Sequence, residues 1–257
     1  EFMETVDAVA KEHALAIEAL PENGVAVYPA DSEYSPYWKK IADKRKVVDF
    51  AFNRKATVWG EWLDQANGQI LIHTPQGDLK VMLNILGDHN ACNAVAASAV
   101  AIAAGISPAI IQAGLESFQP VNGRMQKHCL TDDLTVIDDS YNANPDSMRA
   151  GIAVLAATPG RKILVVGDMG EIGDQSFQYH DEIGGYAKSE GVDFLFALGE
   201  MSEVAARNFG EGGFHFNRLD DLVAAVKAEL TPDTVVLVKG SRFMKMERVV
   251  AAIAEKV

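Results

Sequence analysis

The stretch Leu134-Thr135-Val136-Ile137-Asp138-Asp139-Ser140-Tyr141-Asn142-Ala143-Asn144-Pro145 is an apolar run that ends in two carboxylates, a hydroxyl, a phenol and two carboxamides. A short apolar run of this kind reads as a buried strand. Its polar residues therefore collect at the carboxyl end, the edge where open α/β sheets bind ligands. Pro145 cannot extend a strand within a sheet, and the helix-favouring residues 146–157 follow it. The stretch thus predicts a strand, a ligand-facing turn and a helix in immediate succession.

Working outward toward the C-terminus, the same alternation repeats. Apolar strands at 134–138, 162–166, 193–198 and 235–238, with a shorter one at 213–216, alternate with helices at 146–157, 177–190, 202–208, 219–229 and 244–255. Continuous apolar strands separated by helices build a doubly wound, mostly parallel sheet.

Toward the N-terminus, Val6, Val9, Ala10, Ile17 and Leu20 recur at helical spacing, so the first twenty residues read as an amphipathic helix. Pro21-Glu22-Asn23-Gly24 closes it, before a strand at 25–28, a helix at 36–43 and a strand at 46–52. Strands at 70–73 and 79–82 flank Thr74-Pro75-Gln76-Gly77-Asp78, which has the Pro and Gly of a hairpin turn. Helices at 89–104 and 107–117 complete this half. The segment Phe118-Gln119-Pro120-Val121-Asn122-Gly123-Arg124 has turn formers and no periodicity, the composition of an inter-domain linker. Two domains are expected, at 1–122 and 123–257.

Composition narrows the function. The chain has 257 residues, 48% hydrophobic and 23% charged, as in a soluble globular protein. A net charge of -13 with no basic stripe argues against nucleic-acid binding. Cys92 and Cys129 lack metal-ligand spacing and read as free thiols of a reducing cytosol. The longest nearly apolar run, 94–104, is too short to span a bilayer, and no secretory signal opens the chain. A cytoplasmic protein, monomeric and not inserted in a membrane, is expected.

Several motifs bear on chemistry. In Leu86-Gly87-Asp88-His89-Asn90-Ala91-Cys92-Asn93, the carboxamides of Asn90 and Asn93 are three apart at a helix start and face the same way. Such groups can read an adenine edge, or they can simply cap the helix. Arg124 follows the flexible Gly123 and can pair with a phosphate or remain a solvated charge. Gly167-Asp168-Met169-Gly170-Glu171-Ile172-Gly173 is spaced GxxGxxG with two acids, which would repel a dinucleotide pyrophosphate. It reads equally as a tight βα turn or a ligand-facing loop. Val238-Lys239-Gly240-Ser241-Arg242 closes the last strand and offers a carboxylate or phosphate receptor, or is a charged turn before the final helix. His180, alone on its helix, reads as a packing residue. No GxxxxGK[ST] phosphate loop occurs in the 257 residues.

In this order, the motifs resemble the Mur ligase family of peptidoglycan synthesis over essentially the whole chain. Gly87, His89, Asn90, Asn93 and the Gly-Arg pair resemble the wording shared with folylpolyglutamate ligases. The Asp-Asp-Ser-Tyr-Asn-Ala-Asn, Gly-Asp-Met-x-Glu-Ile-Gly and Val-Lys-Gly-Ser-Arg motifs resemble the branch that adds D-Ala-D-Ala. The resemblance implies a three-domain enzyme, of which this chain would hold the latter part of the central α/β ATPase domain and a C-terminal Rossmann-like domain. Its phosphate loop and the ligands of its Mg²⁺ would precede residue 1, so the chain alone is expected to be inactive.

By resemblance, Asn90 and Asn93 would read the adenine of ATP, and Arg124 and Asp139 would hold ribose and phosphate. Tyr141, Asn142 and Asn144 would line the cleft between domains. Lys239, Ser241 and Arg242 would face the incoming substrate. The substrates implied are UDP-MurNAc-tripeptide and D-Ala-D-Ala, joined through an acyl phosphate. Where the family carries a lysine, carbamylated in several members, this chain offers His13 or Lys11, and neither is assigned as a ligand. Two readings compete: a relative that adds a single amino acid, and a non-catalytic Rossmann-like binding module.

Overall fold

The computed structural model describes residues 3, 5–65, 67–85 and 87–254. Residues 1, 2 and 4 of the expected first helix, Leu86 before the Gly87 motif and Glu255 at the end of the last helix lie outside the described residues. The chain divides into two compact units, Glu1–Gln119 and Pro120–Val257.

The first unit runs α1 (Val6–Glu18), β1 (Val25–Pro29), α2 (Ser35–Ala42), β2 (Lys46–Phe52), β3 (Val58–Asp64), β4 (Gln69–His73), β5 (Leu79–Met82), α3 (Asp88–Ala103) and α4 (Pro108–Ser117). Its sheet has the order β1-β2-β3-β4-β5, with the first three strands parallel and the last two antiparallel. The expected hairpin forms β4 and β5, with Ile70 opposite Val81 and Ile72 opposite Leu79. Ala-rich α3 lies on this sheet because Ala91, Ala94, Ser98 and Ala99 let its backbone approach closely, and all four are buried. Ser98 satisfies its hydroxyl by donating to the Ala94 carbonyl. The strand at Val58–Asp64 was not anticipated. Gly60 interrupts its apolar pattern, and a Cβ there would stand 2.5 Å from Val95 Cγ2 of α3. Close helix packing has displaced β-propensity at that position.

The second unit contains β6 (Gln126–Thr131), β7 (Leu134–Asp139), α5 (Pro145–Ala157), β8 (Arg161–Gly167), α6 (Ser176–Ser189), β9 (Phe194–Leu198), α7 (Glu203–Phe209), β10 (Gly213–Phe216), α8 (Leu219–Glu229), β11 (Thr234–Lys239) and α9 (Glu247–Ala254). Its sheet order is β10-β9-β8-β11-β7-β6, all parallel except β6. β11 is inserted between β8 and β7, and all six of its residues are buried. One face of the sheet packs Val136, Ile163, Val165, Val236 and Val238 against Leu222, Val226, Val249 and Ile253 of α8 and α9. Each such fully buried aliphatic side chain contributes about 1.5–3 kcal/mol.

Several helix ends differ from expectation by one residue, while α1 runs Val6–Glu18, capped by Thr5, rather than over the first twenty residues, and α9 begins at Glu247 rather than 244. A 3₁₀ turn at Arg242–Met244 and Lys245, with φ +52°, occupy the missing turn. β6 was likewise not anticipated. As an edge strand it alternates half-buried and exposed residues, and Gln126, Lys127 and His128 mask its strand character.

Candidate functional site

The polar ends of β7, β8 and β11 are neighbours at the carboxyl edge of the second sheet. β7 and β11 pair in register, with Lys239 opposite Asp139. The Lys239 side chain is only 3% exposed, and its Nζ donates to Asp139 Oδ2 at 2.5 Å and to the Asn142 carbonyl at 2.9 Å. Asp139 Oδ1 accepts from the Met125 amide at 3.1 Å. Both charges are thus paired and hydrogen-bonded, the condition under which a buried ion pair is tolerated. Gly151 of α5 packs beside the pair; a Cβ there would be in ordinary contact with Lys239 Cδ at 3.5 Å and Asp139 Oδ2 at 3.8 Å, and in tight contact with Leu237 Cδ2 at 3.2 Å.

Asp139 also fixes the turn that carries Arg124. Its bond to the Met125 amide and the bond from the Tyr141 amide to the Gly123 carbonyl, 3.0 Å, bracket that residue. Gly123 has φ +73°, and a Cβ there would meet the Tyr141 amide nitrogen at 3.1 Å. The exposed Arg124 guanidinium lies 4.2 Å above the Tyr141 ring. An exposed cation–π contact contributes about 0.5–1 kcal/mol. That is enough to orient the side chain and too little to hold it against a phosphate.

Ser241, 4% exposed, ties three loops together. Its hydroxyl donates to the Ala143 carbonyl at 3.1 Å and accepts from the Gly170 amide at 2.8 Å, while its own amide donates to the Asp168 carbonyl at 3.0 Å. The glycine-acid loop is therefore a knitted βα turn. Asp168 points inward, where Oδ1 accepts from the Ser202 amide and hydroxyl. His180 is a packing residue with a defined tautomer: Nε2 accepts from the Met169 amide, so Nδ1 carries the proton donated to the Ser176 carbonyl.

The two asparagines of the turn are partly committed to the backbone. Asn142 Oδ1 accepts from the Ala143 amide. Asn144 forms a capping box with Ser147 at the start of α5, followed by Pro145 at the first helical position. Arg242 stays 60% exposed and pairs through Nη1 with Glu247 Oε1 at 3.0 Å.

Arg124, Asp139, Tyr141, Asn142, Asn144, Lys239, Ser241 and Arg242 thus gather in the second unit. Asn90 and Asn93 belong to the first, on the opening turns of α3. Gly87, with φ +98°, occupies the cap of α3, and no side-chain cap bond is made there. The capping role considered for the asparagines falls to neither. Asn90 Nδ2 lies 2.9 Å from His89 Nε2, and Asn93 is exposed. Between them, burial and then the nearby Asp31 carboxylate raise the Cys92 thiol pKa. Lys11 and His13 are exposed on α1. Among the described residues, no cluster of three His, Cys, Asp or Glu side chains could hold a metal ion.

Sequence reasoning missed a cavity of about 590 Å³ between β6 and α9, lined by His128, Asp138, Tyr141, Arg242, Glu247 and Ala251 among others. Among the described residues, His128 Nε2 and Glu247 Oε2 have no hydrogen-bond partner, and both atoms are closed to solvent. The even spacing of Gln126 and His128 could have flagged that wall, had the strand been recognised.

Comparison with known proteins places the chain in a single context. The Mur ligase middle domain matches residues 1–101 and the Mur ligase glutamate ligase domain matches residues 123–242. The UDP-N-acetylmuramoyl-tripeptide–D-alanyl-D-alanine ligase of Escherichia coli is 36% identical over 96% of this chain and 56% of its own length. The crystal structure of MurF from Acinetobacter baumannii superposes with a TM-score of 0.87 at 30% identity, over 99% of this chain and 56% of that one. MurF from Thermotoga maritima, solved in complex with ADP, shares the fold with a TM-score of 0.83 at 23% identity, over 100% of this chain and 59% of that one. The chain spans about half the length of the curated relatives it matches.

Proposed function

The chain belongs to the Mur ligase family, and we propose that it is part of an ATP-dependent ligase that adds D-Ala-D-Ala to UDP-MurNAc-tripeptide. The observation that carries this reading is the carboxyl edge of the second sheet. There Lys239, Asp139 and Ser241 fix three loops, while Arg124, Tyr141 and Arg242 project from them. The names of the relatives specify the two substrates, and the ADP complex of the Thermotoga protein supports nucleotide use. The domain boundary we propose, between 122 and 123, coincides with the start of the matched C-terminal family domain. ATP as co-substrate makes the cytoplasm the expected compartment, and we assign the enzyme as a monomer.

In the proposed reaction the tripeptide carboxylate takes the γ-phosphoryl group of ATP and ADP leaves. The dipeptide amine then attacks the acyl carbon, phosphate departs and the nitrogen loses a proton. Catalysis of this kind rests on positioning and on stabilising developing charge. Asn90 and Asn93 offer donor and acceptor to adenine. Arg124 supplies the mobile cation for phosphate, and Asp139 sets its turn beside the ribose. Tyr141, Asn142 and Asn144 shape the turn facing the reacting groups, and Lys239 and Ser241 hold the edge on which Arg242 meets the dipeptide. Mg²⁺ would neutralise phosphate charge, and its ligands are assigned to residues outside this chain.

The test is a chimera in which this chain replaces the corresponding part of the E. coli relative. Phosphate release that requires both UDP-MurNAc-tripeptide and D-Ala-D-Ala is expected. Release supported by a single amino acid instead would select the sister-ligase reading. A correctly folded chimera that binds neither substrate would favour a non-catalytic module.

A further inference from the structure

Arg124 stands between two residues whose backbone is left-handed, Gly123 at φ +73° and Met125 at φ +51°. Glycine adopts that region freely, whereas a residue with a Cβ is strained there. Met125 is buried, and its amide is the one that donates to Asp139 Oδ1 at 3.1 Å, so the ion-paired carboxylate holds the strained residue in place. On the other side, the Arg124 amide closes the turn by donating to the Val121 carbonyl at 2.9 Å. Gly123, lacking a side chain, lets this turn press against the loop after β7. A Cβ there would meet the Tyr141 amide nitrogen at 3.1 Å, and Ser140 Oγ and Tyr141 Cβ at 3.3 Å. The two loops are thereby held together, with Arg124 facing the Tyr141 ring.

The chain carries 36 acidic residues, and Arg149, Arg161, Arg218 and Arg242 each pair with a carboxylate. Among the described residues, Arg124 makes no ion pair and no side-chain hydrogen bond, and its guanidinium lies 4.2 Å from the centre of the Tyr141 ring. A π face attracts a cation without accepting its N–H donors as a carboxylate would. The Tyr141 hydroxyl makes no hydrogen bond among the described residues either, so the contact uses the ring and not the phenol. We propose that Tyr141 is a positioning residue whose ring is a perch for Arg124. It holds the guanidinium at the ligand edge with its donors unengaged and keeps it from the surrounding carboxylates. The perch is weak by design of its chemistry: charge-assisted hydrogen bonds to a phosphoryl group outcompete an exposed cation–π contact, so the arm leaves the ring when the anion arrives. The inference rests on the ligase reading for the identity of that anion, and it makes Tyr141 a partner of Arg124 rather than a contact of the substrate.

The experiment joins NMR of the 257-residue chain to kinetics of the chimera. The ring current should place the Arg124 δ-protons upfield of those of the other arginines. That displacement is expected to persist in Tyr141→Phe and to vanish in Tyr141→Leu. Inorganic pyrophosphate should move the same protons downfield as the guanidinium leaves the ring. In the chimera, Tyr141→Leu should raise the KM for ATP about two- to fivefold, the measure of an exposed cation–π contact. The loss should fall on that KM rather than on kcat or on the KM for D-Ala-D-Ala. Tyr141→Glu, which offers Arg124 a carboxylate, should raise the KM for ATP roughly tenfold, and Tyr141→Phe, which keeps the ring, should rescue it. Ordinary δ-proton shifts in the unsubstituted chain, or no movement with pyrophosphate, would overturn the perch. Tyr141→Phe as damaging as Tyr141→Leu, or a loss confined to the dipeptide KM, would assign the phenol to the substrate and overturn it too. A chimera inactive before any substitution would count against the ligase reading alone and leave the perch to the NMR result.

Discussion

Removing the Lys239 ammonium leaves the Asp139 carboxylate buried without its counter-ion, and the Asn142 carbonyl without its donor. Breaking a buried pair from one side costs roughly 3–5 kcal/mol. Lys239→Ala is therefore expected to lower the unfolding free energy of the second unit by about that amount, as read by urea denaturation. A loss below 1 kcal/mol would mean that the pair is solvated. The cysteines give a second test at this scale. Burial raises the Cys92 pKa, so its thiolate fraction at neutral pH is below that of an ordinary thiol, whereas Cys129 is exposed. Iodoacetamide should label Cys129 first, and Cys92 should gain rate only as pH rises above the usual thiol range, both followed by peptide mass spectrometry. The sequence marked Lys239 and Ser241 as chemistry-bearing. It could not show that their polar atoms are turned inward to hold loops, because that follows from strand order rather than from local composition.

At the level of elements, the strongest apolar periodicities became the helices and central strands they predicted, and the two unanticipated strands share one cause. Val58–Asp64 and Gln126–Thr131 derive their strand character from neighbours: α3 demands a glycine in the first, and edge position permits polar residues in the second. The cavity was illegible for a related reason, since Gln126 and His128 of its wall belong to the unexpected edge strand. Helix starts were better signposted. Asn144 caps α5 reciprocally with Ser147, so Asn144→Ala should cost about 1 kcal/mol, measurable as a lowered thermal midpoint. Helix crossing gives a sharper case. A Cβ on Gly184 of α6 would lie 2.1 Å from the Ala205 carbonyl oxygen of α7. Gly184→Ala is expected to destabilise the second unit by about 1–3 kcal/mol through forced separation of the helices, in the same denaturation assay.

For the whole molecule, the division into two units predicts where a protease enters. Phe118 and Val121 are exposed in the segment that follows α4, and exposed backbone outside regular structure is the preferred site of nicking. Limited chymotrypsin should cut after Phe118 and yield two fragments that persist. Early cleavage within α3 or α5 would contradict the two-unit description.

The position of β11 has a consequence for the birth of the protein. The strand lies between β8 and β7 yet is the last of the three in the chain. On a ribosome, where N-terminal parts emerge first, β7 and β8 must wait as a sheet with a missing plank. Lys239 and Ser241, which close the loops after those strands, arrive with or just behind that plank. The ligand edge therefore cannot form in instalments: a nascent chain halted before residue 234 carries β6 to β10 but neither β11 nor the Lys239 and Ser241 that lock the loops.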